Sequence, residues 1–421
     1  MKMKYKKYTL LISIVTLFIP IWAFSTEPVE LKTLLQSALS QTPQVQEAIA
    51  NYQASKSNVQ KAQAGHYPVI SLMGTQPLAQ EHKYDSNALE KNLHLGVRAN
   101  MNIYAWGGIE ASIDREREKE NYYNDHVLLT NENVSDEIGK LYLSVLRNKE
   151  ILLIINENRQ QHQKILNQLQ TIVKHDPGRM SELTQVKARI LKVDMSYAET
   201  ERNLLLALKK LSILTGRNLQ VDQLIDPFRN TDALTILQTF QDSTPENNLT
   251  YQAQLADKNS LQADLVVSSA ERKPAINLEL NATKDNREVF IRVSWNIFDQ
   301  VTYYSHSQKE YALSAANARL RKTLLDIKEM SESAAINMTQ SERQNKIAIE
   351  YIKQQQQVVT NYEKQFVIAR RSLIDLLDAY NELASIKTSA VISQNDFRDS
   401  TLNYLAVQTK ITAWMNQNTF N

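Results

Sequence analysis

Along most of this chain apolar residues recur at three- and four-residue steps. Leu313, Leu320, Leu324, Ile327, Ala334 and Met338 follow one another by 7, 4, 3, 7 and 4, a near-heptad seam that predicts a long helix packed on its neighbours. Four short segments change to period two. In NLHLGVRANMNIY, Leu93, Leu95, Val97, Ala99, Met101 and Ile103 alternate with polar or small residues. EVFIRVSWNIF does the same through Val289, Ile291, Val293, Trp295 and Ile297, and AINLELNA through Ile276, Leu278 and Leu280. VISLMG is the shortest, with Ile70 and Leu72 on one face. Alternation over about ten residues fits a membrane-barrel strand, lipid on one side and water on the other. A half-buried strand in a soluble sheet gives the same pattern. The arrangement adds information: the segments form two hairpins, each opened by a proline (Pro68, Pro274) and each leading into a very long helical stretch.

Helix breakers are rationed. Residues 109–176 contain only Gly139 and no proline; after Gly216 there is no glycine and after Pro274 no proline. An uninterrupted helix of about 65 residues is roughly 100 Å long, a length typical of coiled coils rather than compact domains.

The pattern is also duplicated. Thr42-Pro43 recurs as Thr244-Pro245, each read as an N-cap followed by proline at the first helical position. YPVISL recurs as KPAINL, NIYAW as NIFDQ, and GRMSELTQVKA as ARRSLIDLLDA, at offsets between 191 and 206 residues. Each copy reads helix, strand, strand, long helix, bend, helix. Four strands cannot close a barrel, and an open sheet in lipid leaves unpaired edges. If the strands meet lipid the chain must oligomerise through them, and three copies supply twelve strands.

Composition narrows the function classes. The 421 residues include no cysteine, which excludes disulfides, thiolate metal sites and a lipid-modified N-terminal cysteine. Lys2, Lys4, Lys6 and Lys7, the apolar run TLLISIVTLFIPIWAF, and the small pair Ala23 and Ser25 have the three-part form of a secretory signal over residues 1–25. An uncleaved anchor is the rival, weakened by Pro20 within the apolar run. Removing that segment leaves 44 basic residues against 46 acidic, a balance that gives no reason to expect nucleic acid. No later run of about 18 apolar residues exists, so a membrane crossing must use strands. The seven histidines form no HxxxH or HExxH pattern, and no phosphate loop or nucleophile elbow occurs. No catalytic residue, metal site or cofactor is expected.

The passage AQAGHYPVISL, the duplicated element order and RRSLIDLLDAYNEL resemble the TolC-type outer-membrane efflux proteins over about residues 28–415. The resemblance implies a mainly α fold with a β-barrel portion. Each chain of a homotrimer contributes four strands to a 12-stranded outer-membrane barrel and helices to a long coiled-coil periplasmic tunnel. It divides the chain into two repeats, 26–216 and 244–421, joined by an equatorial segment at 217–243. The strand hairpins fall at about 68–105 and 274–299, the helical bends at about 175–181 and 367–372, and an equatorial tail ends the second repeat. It implies a passive, non-enzymatic conduit in outer-membrane lipid that docks a periplasmic adaptor and an inner-membrane ABC or other transporter. RRSLIDLLDAYNEL resembles in particular the branch serving type I secretion of large adhesins; small-molecule efflux by the same fold is the alternative.

By the same resemblance Asp375 and Asp378 line the pore constriction, six carboxylates in a trimer, where crowded like charge selects cations. Arg371, with Arg370, ties the tip shut, and Gly178, Arg179, Ser181 and Ser372 lie on bends that contact the adaptor. Two departures stand out. Phe366 and Thr184 replace a tyrosine and an acid that together bridge the inner helix pair in the family, leaving Arg371 or packing as the latch. Asp299-Gln300 replaces the glycine common at the strand-to-helix junction, which Gly107-Gly108 keeps in the first repeat. Read locally, Ser372-x-x-Asp375 is a capping box, a role that does not exclude facing the lumen. Tyr104, Trp106, Trp295 and Phe298 sit where membrane proteins place aromatic belts, with core packing as the competing explanation. A periplasmic or secreted coiled-coil scaffold with a soluble sheet is the rival from another class.

Overall fold

A computed structural model describes residues 28–76, 93–242, 244–284, 286–368 and 370–417. The signal-like segment and the loop around Glu81–Lys91 lie outside the described residues. The period-two segments form strands β1 (Val69–Thr75), β2 (His94–Tyr104), β3 (Ala275–Thr283) and β4 (Arg287–Ser294). They make one antiparallel sheet in the order β1-β2-β3-β4, so β2 and β3 join the two repeats.

Register turns alternation into two faces. Ile70, Ala99, Leu280 and Val289 stand opposite one another across all four strands, and Met101, Leu278 and Ile291 form a parallel row. This apolar face is open: Leu72 is 77% exposed and Ile291 64%. The opposite face is hydrogen-bonded side chain to side chain. Arg98 Nε donates to Asn281 Oδ1 at 3.1 Å, Asn102 Nδ2 to Asn277 Oδ1 at 3.0 Å, and Arg292 Nε to Glu279 Oε1 at 2.7 Å.

The sheet hands its order to helices. Before β1 runs α1 (Leu31–Leu39) and then α2 (Pro43–Gln63); β2 leads into α3 (Gly108–His175), which is followed by α4 (Met180–Thr215). In the second half, α5 (Ala233–Phe240) and α6 (Leu249–Glu271) precede β3, and β4 leads into α7 (Gln300–Val367), α8 (Leu373–Val407) and α9 (Ile411–Asn416). Both α3 and α7 have 68 residues, about 100 Å each. Near the sheet the lateral order is α2, α3, α6, α7; beyond the middle it is α4, α3, α8, α7. The two long helices thus run the full length while shorter partners change beside them.

Local chemistry explains three boundaries. Gly107 has φ 79°, a left-handed turn that lets β2 pass directly into α3. At the matching junction no such turn is needed. The Asp299 carboxylate caps α7 instead, accepting from Val301 N at 3.0 Å, Thr302 N at 3.2 Å and Thr302 Oγ1 at 2.6 Å. Thr42 and Thr244 both occupy N-cap positions followed by proline, as expected, but neither side chain makes a cap bond. Thr42 Oγ1 donates back to Ala38 O at 2.8 Å, and Thr244-Pro245 opens a short 3-10 turn, after which Asn248 caps α6 by accepting from Thr250 N at 2.9 Å. At the first site the threonine hydroxyl is spent as a donor to the preceding turn, and at the second the helix proper starts only after the 3-10 turn, where asparagine caps it.

The main core lies at mid-length, where α1, α5 and α9 wrap α3, α4 and α8 around Leu35, Ile138, Tyr142, Leu211, Phe228 and Leu402. Gly139 permits this approach, because a Cβ there would stand 2.6 Å from Leu402 Cδ2. The Tyr142 hydroxyl lies 2.8 Å from Val29 O and 2.7 Å from Ile225 O, and accepts from Ile225 N at 2.9 Å. Arg398, its side chain 2% exposed, donates two 2.9 Å bonds to Glu150 and one to Asp226 Oδ2 at 2.9 Å. Burial disfavours the Arg398 charge, yet the Glu150 bonds and the fields of Asp226 and Glu150 raise its pKa above the ordinary value. Arg398→Met leaves both carboxylates without their partner, so chemical denaturation should register a loss of about 3 kcal/mol. An unchanged midpoint would remove the triad from the fold's support.

Candidate functional site

Away from the sheet, both hairpins end in one cluster. Ile165, Leu169 and Val173 of α3, Leu183 and Val186 of α4, and Leu373, Leu376 and Leu377 of α8 share a small core, with Phe366 of α7 packed against it. Phe366 therefore contributes packing where a tyrosine would contribute a hydrogen bond. Thr184 turns inward on its own helix, its hydroxyl donating to Met180 O at 3.1 Å.

The second bend is pinned by its own residues. Ser372 Oγ accepts from Asp375 N at 3.1 Å, and Asp375 Oδ2 accepts from Ser372 N at 3.3 Å, a complete capping box at the start of α8. Arg371 lies across the same bend: Nε donates to Gln365 Oε1 at 3.0 Å, the guanidinium sits 4.3 Å from the Tyr362 ring centre, and Nη1 is 3.9 Å from Asp375. Those contacts join α7 to α8; among the described residues Arg371 makes no hydrogen bond or ion pair to the α3–α4 hairpin. Arg370 is exposed, and its backbone N–H closes the turn on Gln365 O at 2.9 Å.

At the first bend Asp176 Oδ1 accepts from Gly178 N at 3.2 Å, and Arg179 grips Glu182 through Nη2 at 2.6 Å. Gly178 and Ser181 are exposed, as is Met180. The paired bends thus present Gly178, Ser181 and Arg370 outward together with the exposed apolar side chains of Met180, Val367 and Ile368.

Asp375 and Asp378 lie one helical turn apart on α8, both on the side away from buried Leu373, Leu376 and Leu377. Their surroundings differ. Asp375 is occupied by the cap and by Arg371, whereas Asp378 is bonded to Arg189 of α4. That pair ties one hairpin to the other. Arg189 carries no motif that singles it out, and the pairing spans 189 residues, so no local pattern could have found it. A second bond that no local pattern signals runs from the Tyr380 hydroxyl to Glu363, between α8 and α7. Burial, then the Glu363 carboxylate accepting that proton, push the Tyr380 pKa up.

His162 is fully buried on α3 with Nδ1 2.9 Å from Asn158 O and no partner for Nε2. Burial lowers its pKa, and nearby Arg189 lowers it further against the raising effect of the Asn158 carbonyl. Among the described residues no group of three or more His, Cys, Asp or Glu side chains could hold a metal, and no helix is long and apolar enough to cross a membrane.

A sequence model of the outer membrane efflux protein family matches residues 34–217. No curated protein matches the chain. Solved structures do. The outer membrane protein VceC from Vibrio cholerae superposes with a TM-score of 0.79 at 13% identity, over 90% of this chain and 96% of that one. The Campylobacter jejuni CmeC outer membrane channel gives 0.78 at 14%, over 90% and 85%. The open state of the Neisseria gonorrhoeae MtrE outer membrane channel gives 0.76 at 12%, over 90% and 89%.

Two outcomes are expected at this end of the molecule. Arg189→Ala should speed amide hydrogen exchange in both α4 and α8 near the pair, whereas Arg371→Ala should speed it only around residues 365–375; the reverse pattern would reassign the link. For His162 the folded-state pKa lies below the ordinary 6.5, so the unfolded chain binds the extra proton first. Stability from this group is complete above about 6.5 and is lost as pH falls below it. Exchange protection around residues 158–166 should drop between pH 7.5 and 5.5, and His162→Leu should flatten that dependence.

Proposed function

We propose, on the match of residues 34–217 to the outer membrane efflux protein family and the likeness of the fold to solved outer membrane channels, that this chain is the exit duct of a tripartite export system. It is a protein of the Gram-negative outer membrane whose helices extend into the periplasm, a passive conduit rather than an enzyme. The observation that carries the reading is the sheet. Its apolar side is exposed in register across four strands, its other side is a polar ladder, and β1 and β4 leave two unpaired edges. Lipid on the apolar side and water on the polar side satisfy both faces, and edge-to-edge closure of three copies satisfies the backbone. A homotrimer then has a barrel of twelve strands continued by a helical tunnel of about 100 Å.

In that trimer Asp375 and Asp378 gather around the axis at the far end. Three of the six carboxylates already face an Arg189 of their own chain, so the ring is less negative than its count of acids. The exposed bends at Gly178, Arg179, Ser181 and Ser372 form the surface offered to a periplasmic adaptor, and an inner-membrane transporter supplies the energy. The finer reading is type I export of a protein cargo, supported by the resemblance of RRSLIDLLDAYNEL to the adhesin-serving branch. Loss of a surface protein with unchanged drug sensitivity in a deletion strain would support it; the opposite result would assign small-molecule efflux.

Fractionation tests the duct itself. The protein should leave cell envelopes only with detergent and conduct as a trimer in planar bilayers; release by osmotic shock would overturn the reading. In the same bilayers, Asp375→Ala with Asp378→Ala should weaken block by multivalent cations. Block equal to wild type would place the constriction elsewhere.

A further inference from the structure

Where the sheet meets the helices, a cavity of about 790 Å³ opens between α2, α3, α6 and the start of β3. Its walls include Lys61, Arg115, Lys119, Lys273 and Trp106, with Gly108 and Ile109 of the first turn of α3. Gly108 allows the helices to close behind it, since a Cβ there would stand 2.9 Å from Ala270 Cβ. Two of the four cations are already compensated. Arg115 lies 2.8 Å from both Glu116 and Asp264, and Lys119 lies 3.1 Å from Glu116. Lys61 and Lys273 are in no ion pair among the described residues; Lys273 sits 5.3 Å from the Trp106 ring centre instead. Glu271 is the one wall carboxylate outside these pairs, so the uncompensated wall charge is positive. The amino end of α3 adds N–H groups without intrahelical acceptors and the positive end of the helix dipole.

Position supplies the second half of the case. Trp106 packs edge-on to Tyr104 with ring centres 4.9 Å apart, and Tyr104 stands opposite Ile276 on the apolar face of the sheet. Trp106 Nε1 donates to Pro274 O at 2.6 Å, and Trp295, just past β4, donates to Arg272 O at 3.1 Å. Both indoles are therefore held at the helix-ward border of that face, with the cavity directly beside one of them. An apolar surface ending in a tryptophan and two unpaired lysines matches one amphiphile: chains above, phosphate below.

We propose that the cavity receives the phosphodiester headgroup of an anionic phospholipid whose acyl chains lie along the apolar face. The phosphate oxygens accept from the Lys61 and Lys273 ammonium groups near the amino end of α3. The inference rests on the membrane reading above and adds to it a specific lipid site.

The test uses the purified full-length protein in detergent, with bound lipid counted by native mass spectrometry. Phosphatidylglycerol, diacylglycerol of the same chains, and glycerol phosphate are the three probes. Wild type should retain phosphatidylglycerol over both others. Lys61→Gln with Lys273→Gln should lower retention about tenfold or more. Lys61→Arg with Lys273→Arg should keep it, which separates charge from misfolding. Equal retention by the glutamine variant overturns the site. Equal retention of diacylglycerol reduces the site to apolar contact, and equal binding of glycerol phosphate makes it a soluble phosphate-ester site; either overturns the proposal. Planar-bilayer conductance of wild type reads the duct separately, so a failed headgroup site and a failed duct give different results.

Discussion

An apolar sheet face that no layer covers among the described residues is the constraint on which the rest of the molecule depends. In water, contiguous exposure of Ile70, Leu72, Val289 and Ile291 would be an aggregation surface. In hydrocarbon it is the favourable face, and the cost moves to the unpaired edges of β1 and β4. Closure with further copies removes that cost. In the proposed duct, lipid, oligomerisation and a polar interior thus answer one physical demand.

The helices inherit their arrangement from the sheet. Because α2 and α6 enter β1 and β3 while α3 and α7 leave β2 and β4, strand order becomes helix order with no crossing. The junctions differ in chemistry and agree in geometry: a left-handed glycine at 107, a capping aspartate at 299. Mid-length is where neighbours are exchanged, and there lie the largest apolar cluster and the buried Arg398 triad. Arg398 and Tyr142 hold the segment around Ile225 and Asp226 onto α3 and α8, and Gly139 lets α8 approach α3 through Leu402. They fix the sideways position of two helices that would otherwise slide along a weakly specific seam.

At the far end, links of different reach hold the hairpins. The capping box and Arg371 act within one bend, Tyr380–Glu363 between the two helices of one hairpin, and Arg189–Asp378 between hairpins. Exposed ion pairs contribute little stability individually. Their value here is geometric, since each selects one packing of an apolar cluster that several packings could satisfy.

Periodicity alone determined the element types. Period two over residues 94–104 and 287–294 and the scarcity of glycine and proline beyond it dictate strands and long helices, because side-chain direction follows directly from backbone repeat. The capping box at Ser372 and Asp375 was legible for the same reason: its partners are three residues apart. The N-cap positions of Thr42 and Thr244 are equally local, whereas the partner of each hydroxyl depends on the folded turn: Thr42 donates back to Ala38 O instead of capping. What only tertiary structure decided are the pairings across long separations. Arg189 meets Asp378, Arg398 meets Glu150 and Asp226, and Lys61 comes to share a cavity with Trp106 and Lys273. A charge at one position in the sequence says nothing about which of many distant opposite charges it will face. That choice is made when helices of about 100 Å are set side by side, a rotation of one residue being enough to change the partner.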